Sequence, residues 1–241
     1  MILFFFLICY YHLNDAGYKL SSILLSPQYL EIKKSTYQNK YTAFELNILK
    51  NSFVDLKMFI PGIKVDLKYA TSDNFIGIVL YDSITHAFLH EDAAMKLKNA
   101  QTQLKLHNNS FSFIVYDALR PQQVQFKMWE IVKNTPKERY VANPNKGSMH
   151  NYGCAVDLSI IRDDSILLDM GSPFDFLEEL SQFRYNEQFI LEKKLTKQQV
   201  ANRILLRNIM EKAGFYPINS EWWHFNAFKN NYVRQHYKIV K

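Results

Sequence analysis

The chain reads as an α+β domain, a single unit with a small, mainly antiparallel sheet flanked by helices. Three observations predict this class. The stretch "HEDAAMKLKNAQTQLKLH" carries Ala94, Leu97, Gln101 and Leu104 at helical spacing, and "SFSFIVYDALRP" then alternates Phe111, Phe113 and Val115 as a half-buried strand does. Helices and strands intersperse without a regular βαβ repeat, and no phosphate-cradling glycine loop occurs. With 241 residues, 48% of them apolar, the chain can bury one full core.

The elements follow in chain order. Residues 1–14 open on "MILFFFLICYY", an apolar run shorter than the roughly 20 residues that a bilayer span needs, so no stable membrane span is expected. The run resembles a signal-like leader, which makes export to the periplasm or cell envelope the expectation and a cytoplasmic protein the alternative. Cys9 at its end invites a lipoprotein reading, against which the preceding Ile8 is bulky. Residues 15–50 mix Ser, Asn, Lys and Tyr without a sustained period and read as an N-terminal extension; residues 51–241 form the domain.

Within the domain, Pro121 suits the first turn of a helix whose inner stripe is Val124, Met128 and Ile131 or Val132. "NTPKERYVANPNKGSMH" is loop by its Pro, Asn, Gly and Lys content. "CAVDLSII" is a strand starting just after Gly153. Thr196 and Gln199 make a capping-box pair ahead of Val200, Ile204, Leu205, Ile209 and Ala213, and Gly214 closes that helix. A final strand is expected over roughly Phe215 to Phe228.

Charge and cysteine usage exclude several functions. The net charge of +6 comes from lysines scattered singly, with no arginine-rich run and no RNA-reading or zinc-finger pattern, so the basic surface is a solvated one and no nucleic-acid partner is expected. Cys9 and Cys154 are the only cysteines, which excludes a disulfide framework and a Cys-based zinc site. No pattern specifies an oligomeric state.

Two stretches carry chemistry. In "GSMHNYGCAVD", residues 147–157, His150 and Asp157 flank Gly153, so a loop bearing the histidine can fold over a strand bearing the aspartate. Alone, such a pair is more often a structural hydrogen bond than a metal site. "EWWHF", residues 221–225, places Glu221 three residues before His224. A hydrolytic zinc keeps three protein ligands and one open position for water. His150, Asp157 and His224 would supply the three, and Glu221, off the metal, would take the water's proton. In a regular strand, side chains three apart face opposite sides, so Glu221 and His224 converge only if the segment twists, bulges or turns. Trp222 and Trp223 are candidates for core packing. His12, His86, His90, His107 and His236 belong to no such constellation and default to the surface. Arg120, at a strand end, is either a salt-bridge partner of Asp117 or Asp164, or a charge aimed into the cleft to stabilise an oxyanion.

These stretches carry a resemblance. "SMHNYGCAVD" fits the SxHxxGxAxD pattern, and "EWWH" the ExxH pattern, of zinc D,D-peptidases of the carboxypeptidase and dipeptidase superfamily. "VDLKYATSDNF", "YDALRP" and "DMGSPFDF" further resemble the VanX-type D-alanyl-D-alanine dipeptidases, the matches running from about residue 55 to 228. The resemblance implies one Zn²⁺ per chain on His150, Asp157 and His224, Glu221 as catalytic base and Arg120 as transition-state stabiliser. It implies that Asp175 receives the ammonium of a small dipeptide substrate and that Ser148 lies near its C-terminal carboxylate. A recognised amino terminus makes a dipeptidase, because a longer chain would bury an uncharged amide against Asp175.

The implied fold is hedgehog/D,D-peptidase-like, with zinc at the bottom of a restricted cleft. The implied biology is D-alanine recycling from peptidoglycan or glycopeptide resistance. Two alternatives stand beside it: a D,D- or L,D-carboxypeptidase acting on longer peptidoglycan stem peptides, and a catalytically silent zinc-binding module. Cys154, in the ligand strand, is a small buried-type residue that could also be redox-sensitive.

Overall fold

The computed structural model describes residues 40–241. The apolar leader, Cys9, His12 and the extension up to residue 39 lie outside the described residues. The described elements are α1 (Ala43–Leu49), β1 (Phe53–Asp55), α2 (Leu56–Phe59), β2 (Lys64–Val65), β3 (Phe88–His90), α3 (Glu91–His107), β4 (Phe111–Asp117), α4 (Gln122–Val132), β5 (Ala155–Arg162), α5 (Asn186–Leu191), α6 (Lys197–Lys212), β6 (Tyr216–Pro217), β7 (His224–Asn226) and α7 (Asn230–His236). Short 3₁₀ turns punctuate the loops, among them Met149–Tyr152. No helix among the described residues is long and apolar enough to cross a membrane.

Five strands form the main sheet in the order β2-β4-β5-β7-β6, and every neighbouring pair except β2 and β4 is antiparallel. β1 and β3 make a separate antiparallel pair. Phe113, Val115, Val156, Leu158, Ile160 and Phe225 share one core with Ala94, Leu97 and Leu104 of α3 and Leu206, Ile209 and Met210 of α6. The helical spacing of Ala94, Leu97, Gln101 and Leu104 is therefore a buried face, as its period predicts. The opposite face of the sheet carries a smaller cluster, Ile114, Tyr116 and Ile161, with Phe174 against it.

β4 departs from the half-buried strand expected. Ser112 through Asp117 are all buried, because β4 is an interior strand with both faces covered. α1 lies in the stretch read as irregular. It is only two turns long, too short for a period to show, and it is set by its cap: Glu45 N–H donates to Thr42 Oγ1 (3.1 Å) while Thr42 N–H donates to the Glu45 carboxylate (2.9 Å). Ile48 then packs with Tyr41, Phe53, Phe88 and Leu119.

α4 buries Val124, Met128 and Val132, leaving Ile131 46% exposed. α6 starts at the predicted Thr196 and Gln199 capping box, but its inner face is rotated from the one expected. Ile204 is 43% exposed, and Arg203, Leu206 and Met210 point inward. Arg203 is tolerated there because its guanidinium donates to the Met170 and Leu180 carbonyls and to Asn186 Oδ1.

The single strand expected from Phe215 to Phe228 is instead a hairpin. β6 and β7 pair antiparallel through Tyr216 with Asn226 and Pro217 with Phe225, and residues 218–223 form the connection. Pro217 has no N–H to extend the ladder, and Asn219 and Ser220 supply turn chemistry. Trp222 and Trp223 are both buried, as core packing requires.

Candidate active site

Cross-strand register builds the floor of the site. Asp117 of β4 stands opposite Asp157 of β5, and Asp157 stands opposite His224 of β7, so one row across three strands carries all three side chains. Simple alternation would put Asp117 on the face of Phe113 and Val115. A register shift between Val115 and Asp117 adds one residue to β4 and re-aims Asp117 to the Asp157 side.

His150 arrives from the 3₁₀ turn before β5. Ser148 caps that turn, its Oγ accepting from the His150 N–H (3.4 Å) while Asn151 Oδ1 accepts from the Ser148 N–H (2.7 Å). Gly153 ends it in the left-handed conformation, φ +61°, where a Cβ would collide with the Phe53 ring. The Asn151 side chain also donates to the Arg120 carbonyl (2.8 Å), and the Arg120 N–H to the His150 carbonyl (3.1 Å), so the two loops hold each other.

Three acceptor atoms converge. His150 Nε2 lies 3.1 Å from His224 Nδ1 and 3.4 Å from Asp157 Oδ1, and His224 Nδ1 lies 2.9 Å from Asp157 Oδ1. Both rings have their other nitrogen committed as donor: His150 Nδ1–H to the Ala118 carbonyl (2.7 Å), and His224 Nε2–H to Asn226 Oδ1 (2.9 Å). With those nitrogens as donors, the remaining imidazole lone pairs point toward the Asp157 carboxylate, an arrangement that a cation between them would satisfy. Burial alone would raise the Asp157 carboxyl, but the His150 and His224 imidazoles beside it hold it well below the usual carboxylate range. Burial would lower His150, and the Asp157 and Asp117 carboxylates overcome this and raise it. The field at the cluster thus favours positive charge.

Arg120 is buried and pinned. Its Nε and Nη2 donate to Asp117 Oδ2 (2.9 and 2.6 Å), Nη1 donates to Gln125 Oε1 (2.9 Å), and the guanidinium lies 4.9 Å from the centre of the Tyr69 ring. Nη2 stays 3.8 Å from Asp157 Oδ2. The two readings of Arg120 therefore merge, since it is paired with Asp117 and still lines the cleft. Asp164 is not its partner; that carboxylate pairs with Arg162 on the surface.

The remaining acids lie in the same cleft, a cavity of about 240 Å³ lined by Tyr69, Arg120, His150, Asp157, Glu221 and His224 among others, with Ser148 and Asp175. The hairpin connection is what brings Glu221 to the side of His224. Burial pushes the Glu221 carboxyl up to about 7, with the Asp157 and Asp175 charges adding to it. Burial and the Asp157 charge push Asp175 to about 8. Asp175 has φ +60°, an uncommon backbone for a residue with a side chain, and it is held there by the Tyr69 hydroxyl (3.0 Å) and the Phe75 N–H (3.5 Å).

A family model described as D-ala-D-ala dipeptidase, Peptidase_M15, matches residues 49–241. The chain belongs to this peptidase family. It is 35% identical over 172 residues to the D-alanyl-D-alanine dipeptidase of Escherichia coli (strain K12), covering 71% of this chain and 82% of that protein. It is similar to two further proteins of that name: one from Enterococcus faecium, 30% identical over 72% of this chain and 90% of the relative, and one from Enterococcus faecalis, 28% identical over 80% and 99%. The family consists of metallopeptidases, and the His150, Asp157 and His224 cluster is the group able to hold a metal among the described residues.

All seven residues singled out in the sequence line this one cleft. Residues not singled out complete it. Asn226 orients His224, and its position two residues on along a strand, hence on the same face, was a legible signal. Tyr69 sits inside "VDLKYATSDNF", a stretch noted without a role. Gln125 had no signal, since it looks like any helical glutamine. Two histidines assigned to the surface are half-buried: His86 bonds Glu45, and His90 packs on Phe53 and Tyr237. Cys154 is fully buried and its thiol is pushed up to about 12 by burial, which disfavours the reactive thiolate.

Proposed function

We propose that this chain hydrolyses D-alanyl-D-alanine to two D-alanines with one zinc ion held by His150, Asp157 and His224. The observation that carries the reading is the convergence, in one small cleft, of two oriented imidazole lone pairs and a carboxylate with Glu221, Arg120 and Asp175 around them. Two imidazoles and a carboxylate are an ordinary zinc donor set. A zinc ion bound there supplies a Lewis acid that acidifies water and polarises the scissile carbonyl.

The chain's own residues do the rest. Glu221, whose carboxyl sits near neutrality, takes a proton from the attacking water and passes it to the leaving amine nitrogen. Arg120, fixed by Asp117 and Gln125 before substrate arrives, stabilises the negative charge that develops on the carbonyl oxygen. Asp175 receives the substrate ammonium, which would return its raised carboxyl to the charged form. Ser148 lies toward the C-terminal end of the substrate.

The cleft volume of about 240 Å³ is below the common range for ligand pockets and suits two residues better than a stem peptide. The sheet order and the site at the mouth of β4, β5 and β7 support the hedgehog/D,D-peptidase-like version of the α+β class. Export remains our proposal for the apolar leader, to be tested by N-terminal sequencing of the protein from fractionated cells.

Comparison of free D-alanyl-D-alanine with its N-acetyl derivative tests the activity. The free dipeptide should be cut far faster. Equal or better cleavage of the acetylated substrate would make the chain a carboxypeptidase, and stoichiometric zinc with no turnover on either would make it a silent zinc-binding module.

A further inference from the structure

A dipeptide zwitterion has a carboxylate as well as an ammonium, and the cleft's acids, Asp157, Asp175 and Glu221, offer no cation to pair with it. The basic side chains lining the cleft are Arg120, His150, His224 and Arg234. The two histidines are turned to the metal cluster, and Arg120 has its Nε, Nη1 and Nη2 engaged by Asp117 and Gln125. Arg234 differs. Among the described residues it has no acidic partner; its Nη1 donates to the Lys146 carbonyl (2.6 Å) and its Nη2 to the Gly147 carbonyl (3.5 Å). Two of its five N–H donors are thereby used, and the positive charge is left uncompensated.

Both anchoring carbonyls belong to the turn that leads into Ser148, and that turn is hydrogen-bonded internally and to α4. Lys146 N–H donates to Asn143 O (3.0 Å), Gly147 N–H to Pro144 O (3.2 Å), and Gln122 Nε2 to Pro144 O (3.0 Å). Gly147 has φ +73°, and a Cβ there would come 2.9 Å from Ile239 Cδ1, so the turn leaves no room for another residue. On the other side, α7 is anchored by Val233, fully buried with Met149, Tyr152, Cys154 and Ala155. The guanidinium is thus held at both ends of its side chain, next in space to the residue before Ser148.

We infer that Arg234 is the receptor for the substrate's C-terminal carboxylate, acting with Ser148, and so sets the preference for a free carboxyl end. The inference rests on the dipeptidase reading and adds to it a residue that fixes which end of the substrate enters. A planar fork with free donors is suited to a carboxylate, and a charge held in place before binding loses little freedom on contact.

The test pairs a substrate change with a residue change. The zinc-loaded wild type, R234A and R234K are assayed on D-alanyl-D-alanine and on D-alanyl-D-alaninamide, whose terminal carboxylate is replaced by a neutral carboxamide. R234A should raise KM for the acid by about 10- to 100-fold, the range for a lost charge-assisted hydrogen bond, with kcat little changed. The same variant should shift KM for the carboxamide far less, and R234K should recover part of the loss on the acid. An equal loss on both substrates, or an unchanged KM for the acid, would overturn the inference. Calorimetric affinity for D-alanyl-D-alanine in an E221A background, with and without R234A, reads the same contact without turnover. If the wild type cleaves neither substrate, the dipeptidase reading fails, and calorimetry still decides whether Arg234 binds the carboxylate.

Discussion

Asp157 and His224 face each other directly across β5 and β7, with Asp157 Oδ1 2.9 Å from His224 Nδ1. Backbone pairing therefore places two of the three candidate ligand atoms, and the short 3₁₀ turn adds His150 as the third. Alanine at His150, Asp157 or His224 should abolish zinc retention and activity together, because two remaining ligands give neither the affinity nor the geometry. Metal content after dialysis, measured alongside turnover, checks each position. Full zinc occupancy in any one variant would remove that residue from the ligand set.

Glu221 sits on the hairpin connection and not on β7, so its loss should spare the ladder that holds His224. Glu221→Ala is expected to keep zinc and fold while turnover falls by roughly 10²- to 10⁴-fold, the usual contribution of a general acid–base group. Zinc loss, or near-normal turnover, would show that the roles of Glu221 and the ligands are wrongly divided.

Asp117 is fully buried and is held by Arg120, by the Tyr81 hydroxyl and, across the sheet, by the row that ends at His224. Replacing it with Ala leaves a buried guanidinium without its nearest, hydrogen-bonded counter-ion, so Asp117→Ala should destabilise the fold by about 3–5 kcal/mol. It should also weaken a phosphinate analogue of the tetrahedral intermediate, since Arg120 would lose its fixed position. Urea unfolding and inhibitor titration are the two measurements. A loss under 1 kcal/mol, read from the unfolding midpoint, would contradict the buried-pair account.

Glu45 provides an acid-sensitive contact outside the cleft lining. Burial would raise its carboxyl, but the N–H groups of Thr85 and Thr42 and the His86 side chain outweigh burial and hold it below its ordinary 4.5. A carboxyl lowered on folding contributes stability that is complete above its ordinary value and is lost as pH falls through the folded one. Stability should therefore decline below about pH 4.5, and Glu45→Gln should flatten that part of the decline. At pH 7 the variant should be less stable by about 1–3 kcal/mol. Denaturant unfolding of both proteins at pH 7, 5 and 4 gives the comparison; parallel pH profiles would exclude Glu45 as a contributor.

Much of this protein was legible in local sequence. The α3 face of Ala94, Leu97, Gln101 and Leu104, the Thr196 and Gln199 cap of α6 and the β5 strand after Gly153 all depend on contacts within a few residues, and they form where the spacing places them. The candidate site residues stood out in the sequence too, at the intervals that the peptidase motifs require, and the structure gathers them in one cleft. Tertiary structure decided how those residues meet. The extra residue in β4 that turns Asp117 toward Asp157 depends on pairing with a strand some 40 residues on, which no window of β4 contains. The doubling back of residues 216–226 depends on β7 having β5 as its other neighbour. Arg203 in place of Ile204 on the buried face of α6, and Arg234 at the edge of the cleft, were likewise set by the carbonyls that surrounding loops happened to present. Helix periods and caps are written in short-range spacing, whereas register, bulges and the partners of buried charges follow from which distant segments pack together.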